Sequence, residues 1–283
     1  MTRLTDYDIE NQFTAKVKKT VRLTPLEKEE IRELVLEVPD FDCTVNQSFG
    51  VLVKTKGEYG KHLHHRLYSV ADIPEIKHGK TTLKMLVKRC SYVDDFNGEA
   101  YPGIASNYLC DRAEGDEITV TGPFPIPFEV PVDKSTNLIL IGMGTGIAPF
   151  RAFVKNIYAN VKNWEGKIRL FYGANSGLEL LYLNEKDGDL TNYYDQDTFK
   201  AFHALSPRPA WSDPIALDHA IVKQSDEIKD MLALANTRVY IAGYEKIKPH
   251  LEKAFSEILG SEEAWKIRKA ELIAGNKWAE VIY

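Results

Sequence analysis

Arg66 and Tyr68 lie two positions apart in the chain. Both residue types are suited to bind a charged ligand that contains an aromatic ring. Residues at this spacing project to the same side of a β-strand, so the pair can address one ligand together. A guanidinium matches a pyrophosphate because its donors form a planar fork, and a tyrosine ring can stack on a flat heterocycle. The alternative is an ordinary strand with an exposed arginine, so the pair needs support from other segments.

A second candidate site is the glycine loop at residues 142–146, which follows a short apolar run. Its glycines let the backbone approach a phosphate, and the first amide groups of a following helix attract an anion. Pro149 fits an early position in that helix, where its missing N–H costs nothing. The combination of strand, loop and helix predicts a nucleotide phosphate site at Gly144, Thr145 and Gly146.

Two more segments carry side chains suited to a dinucleotide. Residues 86–92 end in Tyr92, an aromatic ring that can stack on an adenine. Residues 103–109 begin a predicted helix, and Ser106 near its start can offer a hydroxyl to a phosphate.

The elements that must position these residues change character along the chain. Short alternating segments separated by turn residues predict an antiparallel β-barrel before residue 121. The candidate strands there are residues 13–21, 31–38, 51–54, 83–88 and 117–120.

A proline-rich stretch at residues 123–131 indicates a domain junction, so we expect domains at 1–130 and 131–283. The alternation of apolar runs and helices beyond it predicts a Rossmann-like α/β domain with a parallel sheet. The predicted strands are residues 138–141, 168–172 and 239–242, and the helices are about 149–160 and 247–259.

Composition excludes several other classes of protein. A net charge of -5 disfavours a nucleic-acid partner, although a local basic face can still dock an acidic protein. The three cysteines lack the spacing of a zinc or iron–sulfur site. No apolar run approaches the roughly 20 residues of a transmembrane helix. Residues 1–10 are unlike a signal or transit peptide, so we expect a cytoplasmic location.

The segment Arg66-Leu67-Tyr68-Ser69, together with the segments around Tyr92 and Ser106, resembles the plant-type ferredoxin–NADP reductases. The resemblance extends from about residue 13 to residue 283. It implies that Tyr68 faces a flavin ring and that Ser69 approaches the flavin N5 atom as a catalytic residue.

The same resemblance implies an FAD site along three segments of the first domain. Arg66 and Ser106 would hold the pyrophosphate, and Tyr92 would cover the adenine. Ala105 stands where the family usually has cysteine. The full set of residues implied at the FAD is Arg66, Leu67, Tyr68, Ser69, Val87, Lys88, Tyr92, Gly103, Ala105, Ser106 and Asn107.

In the second domain, residues 144–151 resemble the nucleotide loop of the family, although Met143 replaces a more usual threonine. Ala174 and Asn175 are implied in the same cleft, and residues 180–182 resemble the helix after it, where Leu180 and Leu181 suit core packing. Gly243 follows Ala242, which replaces a family cysteine near the nicotinamide. We therefore expect altered kinetics, because a cofactor carries the chemistry and the protein supplies alignment.

The coenzyme assignment depends on Ser206 and Arg208, which occupy the place of the family's 2′-phosphate site, with a proline between them. Arg208 can pair with a phosphate, so we expect NADP(H), with NAD(H) as the alternative. A proline-rich surface loop with an incidental arginine is the competing interpretation.

The last residue, Tyr283, resembles the family's terminal aromatic residue, which stacks on the flavin and must move for hydride transfer. Glu280 is the candidate for a proton-relay residue, but it lies one position before the family's glutamate, where Val281 stands here. A shift of one residue on a strand reverses the direction of a side chain.

His62, His64 and His65 form a cluster beside Arg66. A metal site is disfavoured because no carboxylate or cysteine accompanies them. They are better explained as a solvated loop, or as positive charge near the flavin edge.

The resemblance as a whole implies an FAD-containing reductase that moves hydride between NADPH and flavin. It would exchange single electrons with ferredoxin, flavodoxin or another one-electron carrier protein. Two alternatives remain open at this point: a reductase component of an oxygenase system, and a redox-silent flavoprotein that binds nucleotide.

Overall fold

The computed structural model describes residues 7–55, 63–94, 98–174, 179–182, 190, 197–205 and 215–283. Contacts among these residues divide the chain into two compact units, Met1–Ile126 and Pro127–Tyr283. The boundary expected after residue 130 falls just beyond this division. Phe128 belongs to the second unit, because its ring stacks on those of Phe150 and Tyr240.

The described residues of the first unit form strands and one short helix. Its elements are β1 (Gln12–Arg22), β2 (Ile31–Pro39), β3 (Gln47–Lys54), β4 (Leu63–Ser69), β5 (Glu75–Lys77), β6 (Lys80–Lys88), β7 (Ser91–Val93), β8 (Ala100–Pro102), α1 (Ile104–Cys110) and β9 (Glu117–Pro125). Seven strands form an antiparallel sheet in the order β4-β3-β9-β1-β2-β6-β5, and β7 and β8 pair as a separate hairpin.

The period-2 pattern of the strands explains how this sheet encloses a core. In β2, Leu34, Leu36 and Val38 are buried on one face, as alternation requires. The amide of Ala71, just after β4, donates to the carbonyl of Lys84 on β6, with an N–O distance of 2.8 Å. This bond connects the chain just after β4, at one edge of the sheet, to β6 near the other edge. The sheet therefore curls into the predicted barrel.

The second unit alternates strands and helices. Its elements are β10 (Asn137–Met143), α2 (Ile147–Asn156), β11 (Ile168–Ala174), β12 (Phe199–Leu205), α3 (Ile215–Val222), α4 (Ser225–Ala233), β13 (Thr237–Gly243), α5 (Lys248–Leu259), α6 (Glu262–Ala274) and β14 (Trp278–Ile282). The five strands are parallel, in the order β12-β11-β10-β13-β14. The predicted α/β fold is therefore confirmed.

The parallel sheet is covered on both faces, which explains why its strands are continuous apolar runs. On one face, Tyr240 of β13 contacts Phe128 and Phe153, the latter from α2. On the other face, the adjacent Ile241 lies in a core cluster with Phe255 of α5.

Local structure departs from expectation at two places in the second unit. The helix expected to run to about residue 160 is α2 followed by a π-helical turn, Ile157–Val161. Leu181 and Tyr182 form a turn, in which Tyr182 has a φ of 62°, so no helix is present at these residues. Leu180 and Leu181 are buried, as core packing requires. Among the helices that the structure describes, none is long and apolar enough to cross a bilayer.

Candidate flavin and nucleotide sites

Strand β4 presents the first group of candidate residues. Tyr68 lies opposite Phe49 of β3 and packs against the barrel core, and this burial raises the pKa of its hydroxyl well above the ordinary value. Arg66 is exposed and shares the strand face of Tyr68, whereas Leu67 alternates to the opposite face. Ser69 ends the strand opposite Ser48 and is half-buried. The tyrosine hydroxyl thus stays protonated beside an exposed guanidinium.

The histidines beside Arg66 are held within the barrel wall. The Nε2 atom of His65 lies 3.0 Å from the Oγ1 atom of Thr121, and the ring covers Gly50, where a Cβ would come within 1.9 Å of it. Burial, followed by the charge of Arg66, lowers the pKa of both His64 and His65. Both rings are therefore neutral near pH 7, which argues against the expectation that they add positive charge. His62 lies outside the described residues.

Several residues expected at the adenine end of FAD have side chains that are buried in the core or paired with another residue. Val87 and Ala105 are buried in the barrel core, so only their backbone can meet a ligand. The Lys88 ammonium lies 2.6 Å from a carboxylate oxygen of Glu29.

The turn before α1 is joined to the end of β6 by a compact set of hydrogen bonds. The amide of Gly103 donates to the carbonyl of Cys90, at 2.9 Å, and the Cys90 amide donates to Ser106 Oγ, at 3.2 Å. The Asn107 side-chain amide donates to the carbonyls of Cys90 and Gly103, both at 2.8 Å. Asn107 thus fixes the turn that precedes Ser106 in α1.

Arg89 is a positioning residue that sequence reasoning missed. Its guanidinium donates to Glu30, Asn107 and Asp111, at 2.7, 2.9 and 2.7 Å. It therefore connects the end of β6, the loop before β2 and helix α1. No local pattern marks it, because Glu30 is 59 residues distant in the sequence.

Tyr92 presents its ring to solvent from the β7–β8 hairpin, with a relative exposure of 57%. Its ring is stacked on Tyr101, with a centroid distance of 5.7 Å and an interplanar angle of 27°. An exposed aromatic face is what stacking on an adenine requires.

The glycine loop of the second unit lies at the carboxyl end of β10, as its sequence predicts. Gly144 has a φ of 58°, in the left-handed region that favours glycine. Gly146 has no room for a side chain, because a Cβ there would lie 2.1 Å from the carbonyl oxygen of Ala242. The Tyr172 hydroxyl donates to the Gly144 carbonyl, at 3.0 Å. The loop is thus held by backbone packing against β13 and by a buried tyrosine on β11.

Tyr283 lies directly against this loop. Its amide donates to the carbonyl of Gly243, at 3.0 Å, and its hydroxyl is 2.8 Å from Thr145 Oγ1. The ring meets Tyr244 edge-on, with a centroid distance of 5.4 Å. The ring of Tyr283 therefore lies beside the loop residues that the sequence predicts to bind a phosphate.

Glu280 is engaged elsewhere. Its carboxylate accepts a hydrogen bond from Trp278 Nε1, at 2.7 Å, and lies 3.1 Å from the Lys248 ammonium. Strand alternation places Trp278 and Glu280 on one face of β14 and Val281 on the other. This geometry favours a structural role for Glu280 over the catalytic one expected from the sequence.

The remaining expected residues divide by whether the structure describes them. Ala174 ends β11 and is buried, and Ala242 is fully buried next to Gly243. Asn175, Ser206 and Arg208 lie outside the described residues. Among the residues that the structure describes, no group of histidine, cysteine and acidic side chains is arranged to hold a metal ion.

Comparison with known proteins gives relatives over most of the chain. Residues 140–253 match the family model described as "Oxidoreductase NAD-binding domain". The ferredoxin–NADP reductase of Synechocystis is 26% identical over 86% of this chain and 60% of its own length. The cyanelle ferredoxin–NADP reductase of Cyanophora paradoxa is 30% identical over 75% of this chain and 59% of its own length. The chain spans about three fifths of the length of these two relatives.

Solved structures show the same fold. The ferredoxin–NADP+ reductase from Plasmodium falciparum aligns with a TM-score of 0.73 and 22% identity, covering 98% of each chain. A second structure of that protein, with 2′P-AMP, aligns with a TM-score of 0.70 and 20% identity over 98% of each chain. In sequence the chain is similar to ferredoxin–NADP reductases over most of its length, and in fold it matches the two-domain architecture of a solved member of that family.

Proposed function

We propose that the chain is an FAD-dependent reductase that exchanges electrons between NADPH and a one-electron carrier protein, either ferredoxin or flavodoxin. The observation that carries this proposal is the presence, in one chain, of two exposed side chains suited to FAD, Arg66 and Tyr92, in the first unit and a glycine loop in the second. The names of its relatives support the same activity.

The described residues of the first unit fit an FAD. The exposed guanidinium of Arg66 suits the pyrophosphate, and the Ser106 hydroxyl lies near the start of α1, where it accepts a hydrogen bond from the Cys90 amide. The exposed ring of Tyr92 suits the adenine, and Tyr68 with Ser69 suits the flavin ring. When bound, FAD would accept the hydride of the nicotinamide and pass on its two electrons singly.

The residues of the chain would then bind and orient the two cofactors. Tyr68 keeps its proton because burial raises the pKa of the hydroxyl, so it can donate a hydrogen bond without adding negative charge. Gly144, Thr145 and Gly146 would cradle the coenzyme pyrophosphate at the start of α2. Stacking of Tyr283 on the flavin remains a prediction.

NADPH is the coenzyme that we propose, with NADH as the alternative. A Plasmodium falciparum protein of the same fold was solved with 2′P-AMP, which carries the phosphate that distinguishes NADP from NAD. Arg208 is the residue expected to pair with this phosphate. Arg208→Ala should therefore weaken NADPH binding much more than NADH binding, and an equal loss for both coenzymes would refute the role of Arg208.

A cytoplasmic location is part of the proposal. It is supported by Cys43, Cys90 and Cys110, which are all unpaired thiols, as a reducing compartment favours.

Stopped-flow mixing of the oxidised holoprotein with NADPH and with NADH tests the proposed function. We expect bleaching of the flavin absorbance by NADPH, followed by reduction of two ferredoxin molecules for each hydride transferred. Failure of both coenzymes to bleach the flavin would refute a reductase. Bleaching without reduction of ferredoxin or flavodoxin would refute these partners and favour a dedicated oxygenase component.

A further inference from the structure

The β7–β8 hairpin contains two tyrosines where an adenine platform needs only one. Tyr92 and Tyr101 are direct partners across the two strands, and their rings are stacked. Tyr92 is the more exposed ring, whereas Tyr101 is half-buried behind it. One face of Tyr92 is thus covered by Tyr101, and more than half of the Tyr92 surface faces solvent.

The second ring is itself held in place. The Tyr101 hydroxyl donates to a carboxylate oxygen of Glu99, at 2.7 Å. The base of the hairpin is fixed by the bond from the Gly103 amide to the Cys90 carbonyl, at 2.9 Å. Tyr101 therefore has anchors independent of any ligand.

A ring on a short surface hairpin normally loses rotational freedom when a ligand stacks on it, and this loss weakens binding. A stacked neighbour that restricts the ring beforehand removes part of that cost. The benefit applies only to a ligand that has a second flat ring at the hairpin. FAD has an adenine there, whereas FMN ends at its phosphate.

We propose that Tyr101 is a positioning residue that holds Tyr92 ready for the adenine ring, and that it thereby sets the preference of this chain for FAD over FMN. The inference rests on the proposed FAD site and deepens it, because it assigns the dinucleotide selectivity to a stacked pair.

The test is titration of the full-length chain, stripped of flavin, with FAD and with FMN, followed by flavin fluorescence. Tyr101→Leu removes the ring, and Tyr101→Phe keeps the ring but removes the bond to Glu99. We expect Tyr101→Leu to raise the Kd for FAD about tenfold, as loss of an aromatic pair implies. The Kd for FMN should stay within about twofold. Tyr101→Phe, which keeps the ring but loses its bond to Glu99, should raise the Kd for FAD by less than Tyr101→Leu does.

A double-mutant cycle separates positioning from a general effect on the hairpin. If Tyr101 acts through Tyr92, Tyr101→Leu should weaken FAD binding no further in a protein that already carries Tyr92→Leu. Additive losses, or equal losses for FAD and FMN, would overturn the assignment. Failure of the parent protein to bind either flavin would instead refute the proposed function.

Discussion

The two units hold their candidate sites by different means. In the barrel unit, long side chains join separate segments, as Arg89 joins Glu30, Asn107 and Asp111. In the α/β unit, the glycine loop packs directly on the backbone of β13, with Gly146 against Ala242. A site held by several side-chain hydrogen bonds loses stability in steps, as each bond is removed. A site held by close backbone packing is disrupted by a single added atom, because there is no room for it.

The two units should also respond differently to pH. The barrel network contains the carboxylate of Glu30, whose pKa is lowered below its ordinary value by hydrogen bonding to Arg89, with Arg32 adding to the effect. The loop of the second unit is held by backbone atoms and by hydroxyl groups that do not ionise near neutral pH. Acid should therefore weaken the barrel network first.

The largest effect is expected from Gly146→Ala. The new Cβ would lie 2.1 Å from the Ala242 carbonyl oxygen, and backbone atoms cannot turn aside as a flexible side chain can. We expect a loss of about 3 kcal/mol in the free energy of unfolding of the second unit. The displaced loop should also bind NADPH at least about tenfold more weakly. Urea denaturation measures the loss of stability, and coenzyme titration measures the loss of affinity.

Gly260→Ala is the matched control in the same unit. Gly260 ends α5 with a φ of 87°, but a Cβ there would have no atom within 4 Å. The cost is then only the left-handed conformation, about 1 kcal/mol, and coenzyme affinity should not change. Gly146 has an ordinary φ of -60°, so similar losses for the two variants would show that the backbone moves aside and that close packing does not make Gly146 necessary.

Arg89→Ala should have the next largest effect. It removes three charge-assisted contacts and leaves the partly buried Glu30 with fewer partners, for an expected loss of about 2 kcal/mol. Affinity for FAD should fall as well, because Asn107 and its turn lose a support. Arg112→Ala provides a control with only local contacts. It removes the pair with Asp116, the bond to the Tyr108 carbonyl and the cation–π contact with the Tyr108 ring, for an expected loss of about 1 kcal/mol.

The pH dependence of the Arg89 effect has a definite sign. The carboxylate of Glu30 has a lower pKa in the folded state than its ordinary value of 4.5. The contribution of the ionised Glu30 carboxylate to the free energy of unfolding is therefore complete above its ordinary pKa. It is lost as the pH falls through the lower pKa of the folded state. The stability difference between the parent protein and Arg89→Ala should shrink in acid, and a difference that grows in acid would contradict the assignment.

Sequence alone predicts those parts of the sites that are formed by residues close together in the sequence. The glycine loop is readable because strand, glycines and helix follow one another within a few positions. Arg89 is not readable in this way, because its partner Glu30 lies 59 residues away in the sequence. The role of Tyr101 depends on the pairing of β7 with β8, which places its ring on Tyr92. The helix at residues 180–182 is implied only by the resemblance, and the positive φ of Tyr182 places a turn there instead.

A smaller effect is expected from Tyr283→Phe, which tests the side-chain contact made at the loop. Removing the hydroxyl abolishes its bond to Thr145, worth about 0.5 kcal/mol at an exposed position. If the ring must leave the loop for the coenzyme to bind, the Kd for NADPH should fall about twofold. Thr145→Val removes the same bond from the other side. Weaker NADPH binding by Thr145→Val alone would mean that the threonine hydroxyl binds the coenzyme directly.

The smallest effect is expected from Glu280→Gln, the substitution that separates a structural role from a catalytic one. Glutamine keeps an acceptor for Trp278 Nε1 and loses only the ion pair with Lys248, so the loss of stability should be about 0.5 kcal/mol. Lys248→Met removes the same ion pair together with the surface pair to Glu245, so its loss of stability should be equal or slightly greater. Flavin reduction by NADPH should proceed within about twofold of the parent rate, because Glu280 lies on the opposite face of β14 from Val281. A loss of about 100-fold, typical for removal of a general acid or base, would restore Glu280 as a proton-relay residue.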